Sequence, residues 1–87
     1  MTRERVRLDD GIRLMPKDVS SAVQLAGQYM AMIWMEKGTH HVNAKSVMGL
    51  LSLELRGGTE FEIIASGQDE AAAAAALAAY WRSLGRP

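Results

Sequence analysis

The sequence predicts an α+β domain in which a four-stranded antiparallel sheet is covered on one face by three helices, in the order strand, helix, strand, strand, helix, strand, helix. Two kinds of pattern lead to this prediction. Short segments alternate between polar and apolar residues or run apolar over strand lengths, and the segments between them repeat apolar residues at helical spacing. The length points the same way, because 87 residues have room for one core only. We therefore expect a single domain over residues 1–87.

The first strand and the first helix occupy the first third of the chain. Residues 3–8 alternate, with apolar side chains on one side and three arginines on the other. Apolar residues then recur at helical spacing from Val19, and Asp18 stands where it caps the first turn. These residues predict a helix that ends near residues 27–30.

The remaining elements follow at short intervals. Residues 30–36 form an apolar run typical of a central strand, and residues 39–43 are its hairpin partner. A short helix over residues 46–53 and an alternating strand over residues 60–65 come next, before an alanine-rich helix from about residue 68. The side chains that we expect to be mainly buried are Val6, Leu8, Val23, Ala26, Ile33, Met35, Leu50, Leu53, Phe61, Ile63, Leu77 and Trp81.

The charge balance and the absence of cysteine exclude several classes of function. Ten basic residues balance ten acidic residues, so no net positive field attracts nucleic acid or an anionic membrane surface. Without cysteine the chain forms neither a disulfide framework nor a thiolate metal site. The charged first residues have no apolar stretch behind them, which predicts neither a signal peptide nor a membrane span. We expect a cytoplasmic protein without a cofactor.

The short helix from Ser46 carries more apolar side chains than one face holds. At 100° per residue, Leu50 and Leu53 share a face, whereas Val47, Met48 and Leu51 form a second cluster. Two interpretations stay open at this point: all five side chains belong to the core, or the second cluster is an exposed docking patch.

Ser46 itself also has two interpretations. Serine at this position is ordinarily a helix cap. A phosphoryl group there would face free backbone N–H groups and the positive end of the helix dipole, so phosphorylation would not unfold the segment.

Residues 42–53, VNAKSVMGLLSL, resemble the regulatory-serine segment of the HPr phosphocarrier family. Residues 58–60 (GTE) and 65–70 (ASGQDE) are also similar to that family. The resemblance extends over essentially the whole chain and is strongest from residue 42 to residue 70. It implies an open-faced sandwich of four antiparallel strands under three helices, which agrees with the pattern of the elements.

The histidine that carries phosphate in HPr proteins has no counterpart here. It lies in a Gly-Ile-His-Ala-Arg-Pro stretch, and residues 11–16 of this chain are GIRLMP. Depending on the register, Arg13 stands at the histidine position and Met15 at that of the arginine, or Met15 replaces the histidine and Lys17 the arginine. Arginine is protonated near pH 7, so Arg13 offers no neutral nitrogen for phosphoryl transfer. The chain thus resembles the catabolite-repression HPr type, which also lacks the histidine, although it does not share that type's glutamine.

The resemblance implies a regulatory function. Ser46 would be the substrate of HPr kinase/phosphorylase, and Lys45, Val47, Met48 and Leu51 would contact partners, including a catabolite control transcription regulator. Two alternatives stay open: a phosphocarrier component of the sugar phosphotransferase system (PTS), and a diverged domain that keeps the fold but neither phosphorylation role.

The other polar groups do not suggest an enzyme or a metal site. His40 and His41 are adjacent in a predicted strand and point to opposite faces, and nothing completes a first shell around them. On the open face of the sheet, Met32, Trp34 and Ile64 fall together. They form either a self-association surface or a patch that long charged side chains cover.

Overall fold

The computed structural model describes residues 1–84 and contains seven elements in the predicted order. The last three residues of the predicted domain lie outside this range. The predicted fold class is confirmed. The elements are β1 (Thr2–Arg7), α1 (Pro16–Ala26), β2 (Met32–Lys37), β3 (His40–Asn43), α2 (Val47–Ser52), β4 (Glu60–Ser66) and α3 (Glu70–Ser83).

The four strands form one sheet in the spatial order β1-β4-β2-β3, and each neighbouring pair is antiparallel. The two apolar strands, β2 and β4, therefore lie in the centre, and the polar strands β1 and β3 lie at the edges. Ile63 of β4 faces Met35 of β2 in register, and both side chains point to the helical layer. This pairing aligns the apolar parity of both central strands against the three helices.

The core fills the space between the sheet and the helices. Trp81 of α3 is fully buried and packs edge-on against Phe61, with ring centroids 5.7 Å apart. Every side chain that we predicted to be buried is buried except Val23. Val23 is partly exposed because Val19, Ala22 and Ala26 form the inward stripe of α1 and leave it at the flank.

The junction between α1 and β2 differs from the prediction. β2 begins at Met32 rather than residue 30, because Asp69 accepts hydrogen bonds from the backbone N–H groups of Met30 and Ala31, each at 2.8 Å. These amides bind the start of α3 instead of a neighbouring strand. The third strand likewise begins one residue late, at His40.

The beginning of α1 also differs, because the helix starts at Pro16 and Met15 is its N-cap. Asp18 therefore lies inside the first turn rather than at the cap. Its carboxylate reaches back and accepts a hydrogen bond from the Met15 N–H at 2.8 Å. Tyr80 of α3 donates to the Asp18 carbonyl at 2.6 Å, which ties this end of α1 to the C-terminal helix.

Candidate functional site

Ser46 lies at the N-cap of α2, as predicted. Its Oγ accepts a hydrogen bond from the Gly49 N–H at 3.1 Å, and its own N–H donates to the Asn43 carbonyl at 3.1 Å. The Asn43 side chain also accepts from the Lys45 N–H at 2.8 Å. These local bonds form a tight turn between β3 and α2, which holds the partly exposed Ser46 hydroxyl in a fixed place.

The side chain of Lys45, which we expected among the partner contacts, is bound to the segment that follows α1. Its Nζ donates to the carbonyl of Tyr29 at 2.7 Å, beyond the end of α1. The ammonium group is also close enough to Asp69 to help hold the pKa of that carboxyl below its usual range, although the main cause is the hydrogen bond from Met30. Lys45 therefore anchors the turn below Ser46 in this structure.

The α2 helix has two faces with different exposure. Leu50 is buried, and Leu53, which follows the helix, is buried as well. Val47, Met48 and Leu51 are 40%, 79% and 54% exposed. The interpretation that all five belong to the core is therefore wrong, and the second cluster is a surface patch beside Ser46. We call these three residues the α2 patch.

A groove of about 210 Å³ separates α2 from the beginning of α1. It is mainly apolar, and its polar member is Glu54, which is exposed and has a left-handed backbone with φ of 51°. The lining residues are Leu14, Met15, Pro16, Val19, Leu50, Leu51, Glu54 and Leu55. The groove extends the α2 patch through Leu51 to the Met15 side chain, which is 48% exposed.

The three residues that we expected at the degenerate active-site positions lie at different places. Met15 is at the N-cap of α1 and in the groove, whereas Arg13 is exposed in the loop before it and does not line the groove. Lys17 is exposed in the first turn of α1. The structure thus brings only Met15 beside the α2 patch.

The two histidines of the chain lie in β3, on the far side of the central strand β2 from β4 and β1. His41 Nδ1 is 3.0 Å from a Glu36 carboxylate oxygen, and its ring lies 5.8 Å from that of Trp34. Within residues 1–84, no group of three or more His, Asp or Glu side chains is arranged to hold a metal ion.

The open face of the sheet is more polar than we predicted. Ile64 is only 3% exposed, so for this residue the second interpretation holds, in which neighbouring side chains cover it. Its cross-strand neighbours in register are Arg3 and Trp34, which flank it on both sides. Met32 is 62% exposed and Trp34 is partly buried. The long side chains at the neighbouring positions therefore reduce the predicted patch to Met32 and part of Trp34.

The carboxylates on this face are paired. Glu62 accepts from Arg3 at 3.2 Å, and Glu60 lies 3.8 Å from Arg5, so the acidic side chains of β4 pair with the arginines of β1. With Glu36 they line a polar depression of about 230 Å³. Because Glu36 contacts His41, each of these carboxylates has a polar partner, as expected for a solvated sheet face.

None of the helices in the described part of the chain is long and apolar enough to cross a membrane.

The family model PTS-HPr, described as the PTS HPr component phosphorylation site, matches residues 6–83. This chain belongs to the HPr family. The HPr-like protein Crh of Bacillus subtilis is 44% identical over 75 residues, which are 86% of each chain. Both the start of α1 and the Ser46 segment lie inside the residues that the HPr family model matches.

Solved HPr structures have the same fold. HPr-C-His from Thermoanaerobacter tengcongensis superposes with a TM-score of 0.88 at 32% identity, covering 95% of this chain and 93% of that chain. Crystalline Crh from Bacillus subtilis, described as an intertwined dimer with a swapped domain, has a TM-score of 0.73 at 39% identity, covering 92% of each chain. The protein is thus an HPr-like member of the PTS and catabolite-control proteins.

Sequence patterns did not indicate the groove or the hydrogen bonds that Asp69 accepts from the residues just before β2. Leu14, Met15 and Leu55 lie outside regular elements, so no periodicity marks them as neighbours. Asp69 looks like an ordinary helix cap in the sequence, and only the fold brings it to residues 30 and 31. The one sequence signal near the groove was Pro16, since proline is favoured in the first turn of a helix and therefore marks Met15 as the residue before α1.

Proposed function

We propose that this HPr-family chain is a regulatory protein that accepts phosphate at Ser46 and carries none on a histidine. The observation that carries the proposal is the position of the Ser46 hydroxyl, at the start of α2 and directly before the exposed α2 patch. A kinase that docks on the patch would find this hydroxyl next to its contact surface.

Phosphorylation at Ser46 is compatible with the local fold. The hydroxyl oxygen accepts from Gly49, and a phosphate oxygen can take over that role at a helix start. The modification adds close to two negative charges beside exposed apolar side chains. It would therefore change which partners bind the α2 patch without unfolding the domain.

The start of α1 has no side chain suited to carry a phosphoryl group. The helix start holds Met15, and neither Arg13 nor Lys17 offers a nitrogen that is neutral near pH 7. His40 and His41 lie in β3, far along the chain from residues 11–16, and His41 is in contact with Glu36 of β2. We infer that the protein receives no phosphate from enzyme I.

We infer the partners from the α2 patch beside Ser46 and from the HPr family. HPr kinase/phosphorylase would modify Ser46, and a catabolite control transcription regulator would bind the phosphorylated form through the α2 patch. On this proposal the protein works in the cytoplasm and acts by binding rather than as an enzyme.

The decisive experiment is intact-mass measurement after two incubations. ATP with HPr kinase/phosphorylase should add one phosphate, and phosphoenolpyruvate with enzyme I should add none. Ser46→Ala should abolish the first shift. Ser52→Ala is the matched control, because Ser52 is an exposed serine of the same helix whose hydroxyl donates to the Gly49 carbonyl.

The other outcomes would favour the alternatives. A phosphate added from phosphoenolpyruvate on any histidine would support a phosphocarrier. No phosphate from either system would support a diverged domain in which Ser46 is only a cap.

A second proposal is a homodimer, favoured by the exposure of Met32 beside Trp34 and by the dimer described for Crh. Sedimentation across a concentration series tests it. Met32→Ser should weaken a dimer formed through the open face, and Met30→Ser is the matched control, because Met30 is 88% exposed but lies outside the sheet. A protein that stays monomeric at high concentration would refute the dimer. A dimer insensitive to Met32→Ser would point to another interface, such as the swapped form.

A further inference from the structure

The methionines of this chain are distributed unevenly between core and surface. Met35 is 1% exposed, whereas the other five are at the surface. Two of these, Met15 and Met48, belong to the groove and the α2 patch. Both are neighbours of Leu51, since Met48 lies one helical turn before it in α2 and Met15 lines the same groove.

We propose that Met48, together with Met15, is a site of reversible oxidation that controls docking on the α2 patch. This inference rests on the proposed function, because it concerns regulation of the same surface. The thioether sulfur of methionine is a soft, polarisable group that suits an adaptable apolar contact. The same sulfur is the atom that peroxides attack when it is exposed.

The reaction needs only a peroxide as co-reactant. The sulfur lone pair attacks one oxygen of hydrogen peroxide, an S–O bond forms and the O–O bond breaks. The sulfur loses two electrons, and the departing hydroxide takes up the proton of the oxygen now bound to sulfur, which leaves the sulfoxide and one water. Methionine sulfoxide reductases A and B reverse the change, each acting on one sulfoxide epimer, with a dithiol as reductant that becomes a disulfide while the oxygen leaves as water.

The structural consequence is local. Sulfoxide formation converts an apolar, flexible side chain into a polar one. Met48 is 79% exposed and contributes little buried surface to the core, so its oxidation should leave the fold intact. A partner that buries the α2 patch would have to desolvate the new S–O group next to Val47 and Leu51, which opposes docking.

The first measurement is peptide mapping by mass spectrometry after a titration with hydrogen peroxide. Met48 and Met15 should convert to sulfoxides while Met35 stays reduced, because Met35 is buried in the core. Circular dichroism of the same samples should report an unchanged fold. Protection of Met48 at peroxide doses that oxidise Met30 would overturn the proposal.

The second measurement is the rate at which HPr kinase/phosphorylase modifies Ser46 before and after peroxide treatment. We expect the rate to be about tenfold lower for the oxidised protein. Treatment with the two reductases should restore the original rate. In the double variant Met15→Leu with Met48→Leu, the rate should not change on peroxide treatment. In the matched double variant Met30→Leu with Met32→Leu, peroxide should lower the rate of Ser46 modification as it does in the natural chain, because those methionines lie away from α2.

The two hypotheses fail in different ways. If the untreated chain takes no phosphate from the kinase, the proposed function is wrong and this inference fails with it. If the untreated chain is modified and the oxidised chain is modified equally fast, only the inference is wrong. Sensitivity that follows Met30 and Met32 instead of Met15 and Met48 would also overturn it.

Discussion

Met15, at the N-cap of α1, and Leu51, in α2, line the same groove. The two residues are far apart in the chain, and the packing of α1 against α2 brings them together. Because Leu51 also belongs to the α2 patch, Met15 and the helix after Ser46 form one continuous apolar surface. A partner that docks on α2 would therefore contact the beginning of α1 as well.

The first prediction separates docking from stability on this helix. Leu51→Ser should lower the free energy of unfolding by only about 1 kcal/mol, because Leu51 is 54% exposed and loses about half of a leucine's burial in the groove. It should raise the KM of the kinase for this protein several-fold. Leu50→Ala is the contrasting variant, and it should cost about 2–5 kcal/mol because Leu50 is buried. Urea unfolding and kinase kinetics check both. An unchanged KM for Leu51→Ser would argue against the α2 patch as the docking surface.

The order of the elements and most of the core followed from the sequence, because alternation and helical spacing are local patterns. The 100° geometry separated the apolar side chains of α2 into two clusters, but the sequence did not decide whether the second cluster was exposed. The burial of Ile64 did not follow, since it depends on the side chains of Arg3 and Trp34 in neighbouring strands. The groove was missed for a related reason: loop residues have no periodicity.

The second prediction concerns the cap of α2. Ser46→Ala should lower the free energy of unfolding by about 0.5–2 kcal/mol, because the Gly49 N–H loses its acceptor. Ser46→Asp should retain most of the stability, since aspartate caps helices as well as serine does. Urea unfolding curves of the three proteins measure the difference. No loss of stability for Ser46→Ala would show that the capping bond contributes little.

The third prediction concerns the left-handed backbone of Glu54. Its φ of 51° is unfavourable for a residue with a Cβ, and it lies directly after the C-cap residue Leu53. Glu54→Gly should raise the free energy of unfolding by about 1 kcal/mol, because glycine is favoured at this position. Glu54→Ala is the control, because it removes the carboxylate and keeps the strain. If both variants gained equally, the carboxylate and not the backbone would be the cause.

The fourth prediction concerns acid stability. Glu70 accepts from the N-terminal ammonium and from the Thr2 hydroxyl, each at 2.7 Å. The ammonium is the main cause that lowers the pKa of Glu70 to about 2, and the hydroxyl of Thr2 and the N–H of Gly67 add to it.

Because the folded pKa lies below the ordinary value of 4.5, the stabilisation is complete above that value and is lost as the pH falls towards 2. The difference in melting temperature between the natural chain and Glu70→Gln should therefore shrink from about pH 5 to about pH 2.5. Thr2→Val, which removes one donor, should fall between them. A difference that does not depend on pH would contradict this ion pair.

The last prediction tests which residue occupies the histidine position. Met15→His should allow enzyme I to transfer one phosphate from phosphoenolpyruvate, because an imidazole there would be exposed at the start of α1 and beside the α2 patch. Its pKa near 6.5 would leave a neutral nitrogen available at pH 7. Arg13→His is the matched variant and should accept no phosphate, since residue 13 lies in the preceding loop and outside the groove. Intact mass of both variants and of the natural chain, after incubation with phosphoenolpyruvate and enzyme I, measures the transfer. A phosphate on Arg13→His and none on Met15→His would reverse the assignment and place the histidine position two residues earlier.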